Sequence, residues 1–250
     1  MRPSESPATR TALAVDFGSS VAGVWAARRG TVSGPSGDAF APAGSLVRRG
    51  RVVDVDGCVA VLRQLVARYA DPIPAGGVVA ACRPVLTSQD DQAAMRRVVE
   101  AVFEPARVAF IDTVRAAAIG SGAAAGTLLV ADLGAQLTEV ALLQHGNVLA
   151  ARRAEIGTRD LARGATADLI ADIVARHVDE LRDSAASVEM ASASARGMLL
   201  VGDGAVHPEL PVALAAALRM RVHRAAAPRT AALNGAGLAA MSLLRHPVGT

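Results

Sequence analysis

The 250-residue chain is 52% hydrophobic and 20% charged, which excludes a disordered polymer and suffices for one large domain or two of ordinary size. Aromatic residues make up only 2%, so the core must be Ala, Val and Leu, with modest stability expected. The net charge of +3 comes without a single Lys, which excludes a phosphate-binding lysine, and no basic run is interleaved with aromatics, so no nucleic-acid partner is expected.

In chain order, residues 1–10 read as a disordered polar tail without the apolar stretch of a signal peptide. Residues 11–29 read as an apolar hairpin, and 30–50, rich in Gly, Pro, Ser and Ala, as a loop with at most one short strand. After residues 52–56, Val59, Leu62, Leu65, Val66 and Tyr69 recur at helical spacing, and residues 71–77 break that helix. Ile73, in that break, reads as a turn residue rather than a membrane contact. Residues 78–82 form a short strand ending at Pro84. Thr87, Ser88 or Asp90 caps a second helix with Met95, Val98, Val99 and Val102 on one face. Residues 108–111 are a buried strand, and 114–119 a small-residue helix ending at Gly120 and Gly122.

Residues 128–132 and 138–143 form a second hairpin, and His145-Gly146-Asn147 turns the chain into a strand over 148–152. Leu169, Ile170, Ile173, Val174, Val178 and Leu181 mark a long helix, and 183–195 reads as a polar loop. A strand over 198–201 runs into Gly202-Asp203-Gly204-Ala205. Residues 209–218 are helical, 221–223 a short strand, and an Ala-rich helix starts near Pro228 or Thr230. The alternation is that of an α/β fold. No segment is long and apolar enough to span a membrane, and Cys58 and Cys82 lack metal spacing and read as buried thiols, so a cytoplasmic protein is expected. The Arg pairs 28–29, 48–49, 96–97 and 152–153 read as solvated surface, and the five histidines are dispersed without metal spacing.

One pattern occurs twice, about half the chain apart. It is an apolar strand, an Asp at its end, a Gly-containing turn and a second apolar strand: Asp16-Phe17-Gly18-Ser19-Ser20, then Asp132-Leu133-Gly134-Ala135-Gln136-Leu137-Thr138-Glu139. Such a hairpin brings amides and a carboxylate to one point, which suits a phosphate and its Mg²⁺. Two facing copies would clamp a phosphate between related lobes. Asp54, Asp56, Asp90, Asp91 and Asp112 show no spacing that singles out an acid–base pair; capping and surface roles suit them better.

The order Asp16-Phe17-Gly18-Ser19, then residues 116–122, then Asp132-Leu133-Gly134, then Gly202-Asp203-Gly204-Ala205 resembles the actin-like ATPases, and among them the MreB-like bacterial actins. Supporting stretches are Arg51-Val52-Val53-Asp54, Val140-Ala141-Leu142-Leu143 with Gly146, and Gly235-Ala236-Gly237. The resemblance runs from about Thr11 to Ala240. It implies a duplicated, two-lobed, ribonuclease H-like α/β fold: one lobe from 11–120 with 235–246, the other from 121–234. It also implies ATP or ADP with Mg²⁺ between the lobes. Asp16, Gly18, Ser19 and Ser20 match the first phosphate loop, Asp132 and Gly134 the second, and Gly202, Asp203 and Gly204 the adenosine turn. Asp16 and Asp132 would hold Mg²⁺ through water, with the amides near Gly18 and Gly134 on the phosphates.

Several positions depart from the family pattern. Its second loop reads D-[IL]-G-G-G-T, whereas two of those glycines are Ala135 and Gln136 here and the phosphate-facing Thr is Leu137. A Cβ at a left-handed position would cost on the order of 1 kcal/mol. Thr138 replaces the lost Thr only if the register slips, and the acidic pair that helps position water aligns with Asp112-Thr113. Asp203 sets a carboxylate beside an anionic ligand, which repels unless Mg²⁺ or Arg intervenes. Both outer subdomains are expected to be reduced or absent. Asp112 and Thr138 are the catalytic candidates, and hydrolysis is expected to be slow or absent.

Three functional readings follow from the resemblance. The first is a protein of cell shape or envelope organisation, self-associating or binding MreB-type filament proteins, in a peripheral complex at the inner membrane face. The second is a chaperone-like or EutJ-like assembly-factor ATPase. The third is an interaction module that has lost nucleotide.

Overall fold

Each half of the chain builds the same five-stranded sheet. The computed structural model describes residues 11–36, 45–184 and 187–246; the tail expected at 1–10 lies outside them. The first half runs β1 (Ala12–Phe17), β2 (Val21–Ala26), β3 (Gly30–Pro35), a small hairpin β4 (Val47–Arg48) and β5 (Arg51–Val52), α1 (Val55–Val66), β6 (Val78–Arg83), α2 (Gln89–Phe103), β7 (Arg107–Asp112) and α3 (Thr113–Gly120). The second runs β8 (Thr127–Leu133), β9 (Thr138–Gln144), β10 (Asn147–Ala154), α4 (Thr158–Leu161), α5 (Ala167–Ser184), α6 (Ser187–Arg196), β11 (Met198–Val201), a 3-10 turn (Asp203–Val206), α7 (Leu210–Leu218), β12 (Val222–Arg224) and α8 (Ala231–Arg245).

The strand orders are β3-β2-β1-β6-β7 and β10-β9-β8-β11-β12. In both sheets the first three strands are antiparallel and the last two join in parallel. This is the duplicated ribonuclease H-like α/β arrangement. The segments where outer subdomains would sit carry only β4–β5 and the four-residue α4 among the described residues.

Strand alternation sorts the core into layers. Ala12, Ala14, Ala80 and Cys82 of the first sheet and Leu128, Val130, Ala141 and Leu143 of the second face inward, onto α3 and α8 between them. Leu13, Val15, Val79 and Ala81 face outward onto α1 and α2. Leu129, Ala131, Val140 and Leu142 face outward onto α5, α6 and α7. Both faces of each sheet are thus covered, which is why these strands read as continuous apolar runs.

The middle layer explains the alanine content. An ideal Cβ on Gly120 would lie 2.0 Å from the Ala231 carbonyl oxygen, and one on Gly235 1.8 Å from that of Ala116, so α3 and α8 touch backbone to backbone. Larger residues would wedge the two sheets apart.

Helix starts follow local chemistry. Asp54 caps α1 by accepting from the Gly57 amide at 2.9 Å, and Ser88 caps α2 by accepting from the Asp91 amide at 3.1 Å. Ile73, expected in a turn, lies in irregular chain and packs half-buried against the core on the outer side of the first sheet. Two expectations fail. The loop expected over 30–50, with at most one short strand, contains two among its described residues, β3 and β4. The polar loop expected over 183–195 holds α6, because Met190 and Ala193, one turn apart, bury against the second core.

Candidate functional site

A cleft of about 350 Å³ opens where the strand ends of the two sheets meet. Its floor comes from the two hairpins, and they are alike in detail. The Gly18 amide donates to the Val21 carbonyl at 3.0 Å, and the Gly134 amide donates to the Leu137 carbonyl at 2.9 Å. These two amides are therefore spent in closing the turns. The cleft-lining residues of the turns whose amides remain without a hydrogen-bond partner among the described residues are Ser19 and Ser20 in one turn and Ala135 in the other. Neither Ala135 nor Gln136 takes a positive φ, so replacing the expected glycines costs no backbone strain.

The floor is strongly acidic. Asp16 and Asp132 line the cleft from equivalent strand ends, and neither meets a cation or hydrogen-bond donor among the described residues. Burial pushes the Asp16 carboxyl up to about 6. Burial, then the charges of Asp16 and Asp203, pushes Asp132 up to about 7. Glu139 is buried beside them and accepts from the Val85 amide at 2.7 Å. Its carboxyl is held well above the usual range, first by burial and then by Asp132, with the Val85 bond opposing. The Cys82 thiol is raised by the same surroundings.

Several contacts fasten the two halves beside this floor. Glu139 reaches Val85, and the Arg153 guanidinium donates to the Val85 carbonyl at 3.3 Å. Gln136 accepts from the Arg49 amide at 3.3 Å, and Arg49 pairs with Glu155 at 2.8 Å. A Cβ on Gly50 would lie 3.0 Å from Leu137 Cδ2, so Leu137 packs directly on that turn. Arg49 and Arg153, read from sequence as solvated, thus bridge the halves.

Of the residues singled out in sequence, Asp16, Gly18, Ser19, Ser20, Asp132, Gly134, Gly202 and Asp203 all line the cleft. Gly202 has φ +81, and a Cβ there would sit 2.3 Å from the Asp132 carboxylate, so glycine is required by both backbone and space. Gly204 lies behind the cleft wall, packed where a Cβ would strike Leu133. Asp203 does meet an arginine: Arg229 Nε donates to it at 2.9 Å.

The two catalytic candidates are misplaced. Asp112 is ion-paired with Arg83 at 3.0 Å and does not line the cleft; its neighbour Thr113 does. Thr138 is fully buried and donates to the Ile156 carbonyl at 2.8 Å, while Leu137 and Glu139 on either side face the cleft. The register has not slipped: Leu133 pairs with Thr138 and Asp132 with Glu139. Glu139 and Arg229 were not singled out from sequence. A lone charge in the otherwise apolar run of β9 was the available signal for Glu139; Arg229 had none.

Among the described residues no group of three or more His, Cys, Asp or Glu side chains is arranged to hold a metal ion directly. The site nevertheless fits a hydrated divalent cation with phosphate. Two recessed carboxylates lack any neutralising partner, and unpaired amides flank them from both turns. Leu137 is the one poor fit, since it presents methyl groups where a hydroxyl would serve a phosphate.

No protein-family model matches the chain, and no curated protein matches it. Solved structures do. MreB5 of Spiroplasma citri bound to ADP is similar at a TM-score of 0.79 and 13% identity, over 96% of this chain and 99% of that one. The same protein bound to AMPPNP gives 0.77 and 13%, over 96% and 98%. The ethanolamine utilization protein EutJ from Carboxydothermus hydrogenoformans gives 0.69 and 18%, over 95% and 91%. The chain has the actin-like ATPase fold. No helix among the described residues is long and apolar enough to cross a membrane.

Proposed function

We propose that this actin-fold chain is a nucleotide-binding switch that takes ADP or ATP with Mg²⁺ in the cleft and hydrolyses ATP slowly or not at all. One observation carries the reading: Asp16 and Asp132, on equivalent hairpins, face one cleft as recessed carboxylates with no cation from the protein. The Mg²⁺ of a bound nucleotide would supply the positive charge that lets both ionise. Asp16 and Asp132 would hold the hydrated cation, and the amides of Ser19, Ser20 and Ala135 would hold phosphate oxygens. Gly202 gives the ligand access to the backbone. The two lobes would be residues 11–120 with 235–246, and residues 121–234. Slow hydrolysis follows from Thr138 and Asp112 both being turned to structural bonds, with Leu137 in the facing position.

The switch would act in cell shape or envelope organisation in the cytoplasm, by self-association or binding to filament proteins at the inner membrane face. The likeness to EutJ supports a second reading, an assembly factor of the same fold. ATP-dependent pelleting favours the first; a soluble protein that changes partner affinity with nucleotide favours the second.

The deciding experiment is calorimetric titration of wild type and Asp16→Ala with Mg-ATP and Mg-ADP. The expected result is micromolar binding by wild type and none by the variant, with the melting transition retained. Equal binding by both would place the ligand elsewhere, and no binding by wild type at millimolar nucleotide would leave an interaction module.

A further inference from the structure

Four carboxylates line the cleft: Asp16, Asp132, Glu139 and Asp203. Among the described residues lining it, Arg229 alone carries a positive charge. The chain has no lysine to do that work elsewhere.

The Arg229 side chain is tethered by one edge. Its Nε donates to Asp203 Oδ1 at 2.9 Å, and the two terminal nitrogens meet no partner among the described residues. The side chain is 63% exposed, against 25% for Asp203. A guanidinium held this way keeps its planar fork of donors free, the geometry that matches two phosphate oxygens. The backbone fixes where the fork starts. The Gly202 amide donates to the Pro228 carbonyl at 3.0 Å, so the 202 and 228 turns are joined. Gly202 itself abuts the Asp132 carboxylate. Arg229 therefore springs from the wall beside the Asp132 carboxylate, and α8 begins two residues later, at Ala231.

We infer that Arg229 is the phosphate-binding cation of this cleft, parked on Asp203 and transferring its free fork to the phosphate oxygens of a bound nucleoside diphosphate. The inference rests on the nucleotide reading above and names the residue that recognises the ligand's charge. It also gives Asp203 a role. An aspartate in the adenosine turn repels a phosphate when bare; paired with Arg229, it orients the guanidinium and competes with the ligand for it.

Opposite signs in two variants test this. Mg-ADP affinity is measured by calorimetry for wild type, Arg229→Gln, Arg229→Lys and Asp203→Asn. Arg229→Gln is expected to weaken Mg-ADP at least tenfold, and Arg229→Lys to recover only part of that, because an ammonium lacks the fork. Asp203→Asn, which frees the guanidinium, is expected to tighten Mg-ADP severalfold. A purely structural ion pair would make Arg229→Gln and Asp203→Asn weaken binding alike, and that result would overturn the inference. So would an Arg229→Gln affinity within twofold of wild type. Absence of Mg-ADP binding by wild type would instead sink the nucleotide reading, and this inference with it. Arg229 is exposed, so the variants are expected to melt like wild type, which is checked before titration.

Discussion

The Glu139 carboxylate, carried by the second sheet, accepts the amide proton of Val85, in the turn that follows β6 of the first, at 2.7 Å. This bond spans the cleft floor between two elements 54 residues apart in sequence. Removing the acceptor leaves a buried amide unsatisfied. Glu139→Ala is therefore expected to cost about 1–3 kcal/mol in urea unfolding. Glu139→Gln keeps an acceptor and removes a charge that burial disfavours, so it is expected to equal or exceed wild type at pH 8. A Gln variant as weak as the Ala variant would mean the ionised carboxylate itself is what the fold requires.

The raised carboxyls make ligand-free stability depend on pH. Asp16 and Asp132 hold their protons at about 6 and about 7 in the fold, against 3.8 in an unfolded chain. The folded state therefore binds extra protons between about pH 4 and pH 7, and stability falls as pH rises through that window and then levels. Asp16 alone accounts for a change of up to on the order of 3 kcal/mol. Glu139, also raised, chiefly by burial, adds to the fall. Mg-nucleotide competes with those protons, so its gain in melting temperature is expected to be larger at pH 8 than at pH 5. A melting temperature that climbs from pH 5 to pH 8 without ligand would contradict the unpaired state of these groups.

The contact between α3 and α8 leaves no room for a methyl group. Gly120→Ala and Gly235→Ala each set a Cβ about 2 Å from a facing backbone carbonyl, which cannot swing away. Each is expected to cost about 3 kcal/mol or more, seen as loss of soluble protein or a collapsed urea midpoint. Gly23→Ala meets only the Leu233 side-chain end, at 2.7 Å, and is expected to cost about 1 kcal/mol. Equal effects at all three positions would show that the helices can separate.

Thr138 separates structure from chemistry. Its hydroxyl is bonded to the Ile156 carbonyl and turned from the cleft. Thr138→Ala is expected to lower stability by about 1 kcal/mol while Mg-ADP affinity stays within twofold. A large loss of affinity at unchanged stability would return Thr138 to the binding surface.

The repeated hairpin was plain in the sequence because its signals are local: an apolar strand, Asp16 or Asp132, then a turn glycine, all within a few residues. Helix caps at Asp54 and Ser88 were readable for the same reason. The β3 strand was hidden because Gly30, Ser33, Gly34 and Pro35 are poor strand formers that pairing with β2 overrides. The helix at 187–196 was hidden because only Met190 and Ala193 mark its buried face. The site was half legible. Asp203 and Arg229 are 26 residues apart and meet only through folding. Asp112 aligned with an acidic position of the family, yet Arg83 on the neighbouring strand holds it aside.

The order of elements has a consequence for synthesis on the ribosome. The inner face of the first sheet, with Ala12, Ala14 and Ala80, is covered by α8, made only after the entire second sheet has been translated. Until residues 231–245 emerge, the nascent first half has only α3 over this alanine-lined face, while α1 and α2 already close the core on its outer side. Its maturation is thus tied to a helix translated after the whole second sheet, so a ribosome that stalls past the second hairpin leaves a sticky intermediate rather than a finished half.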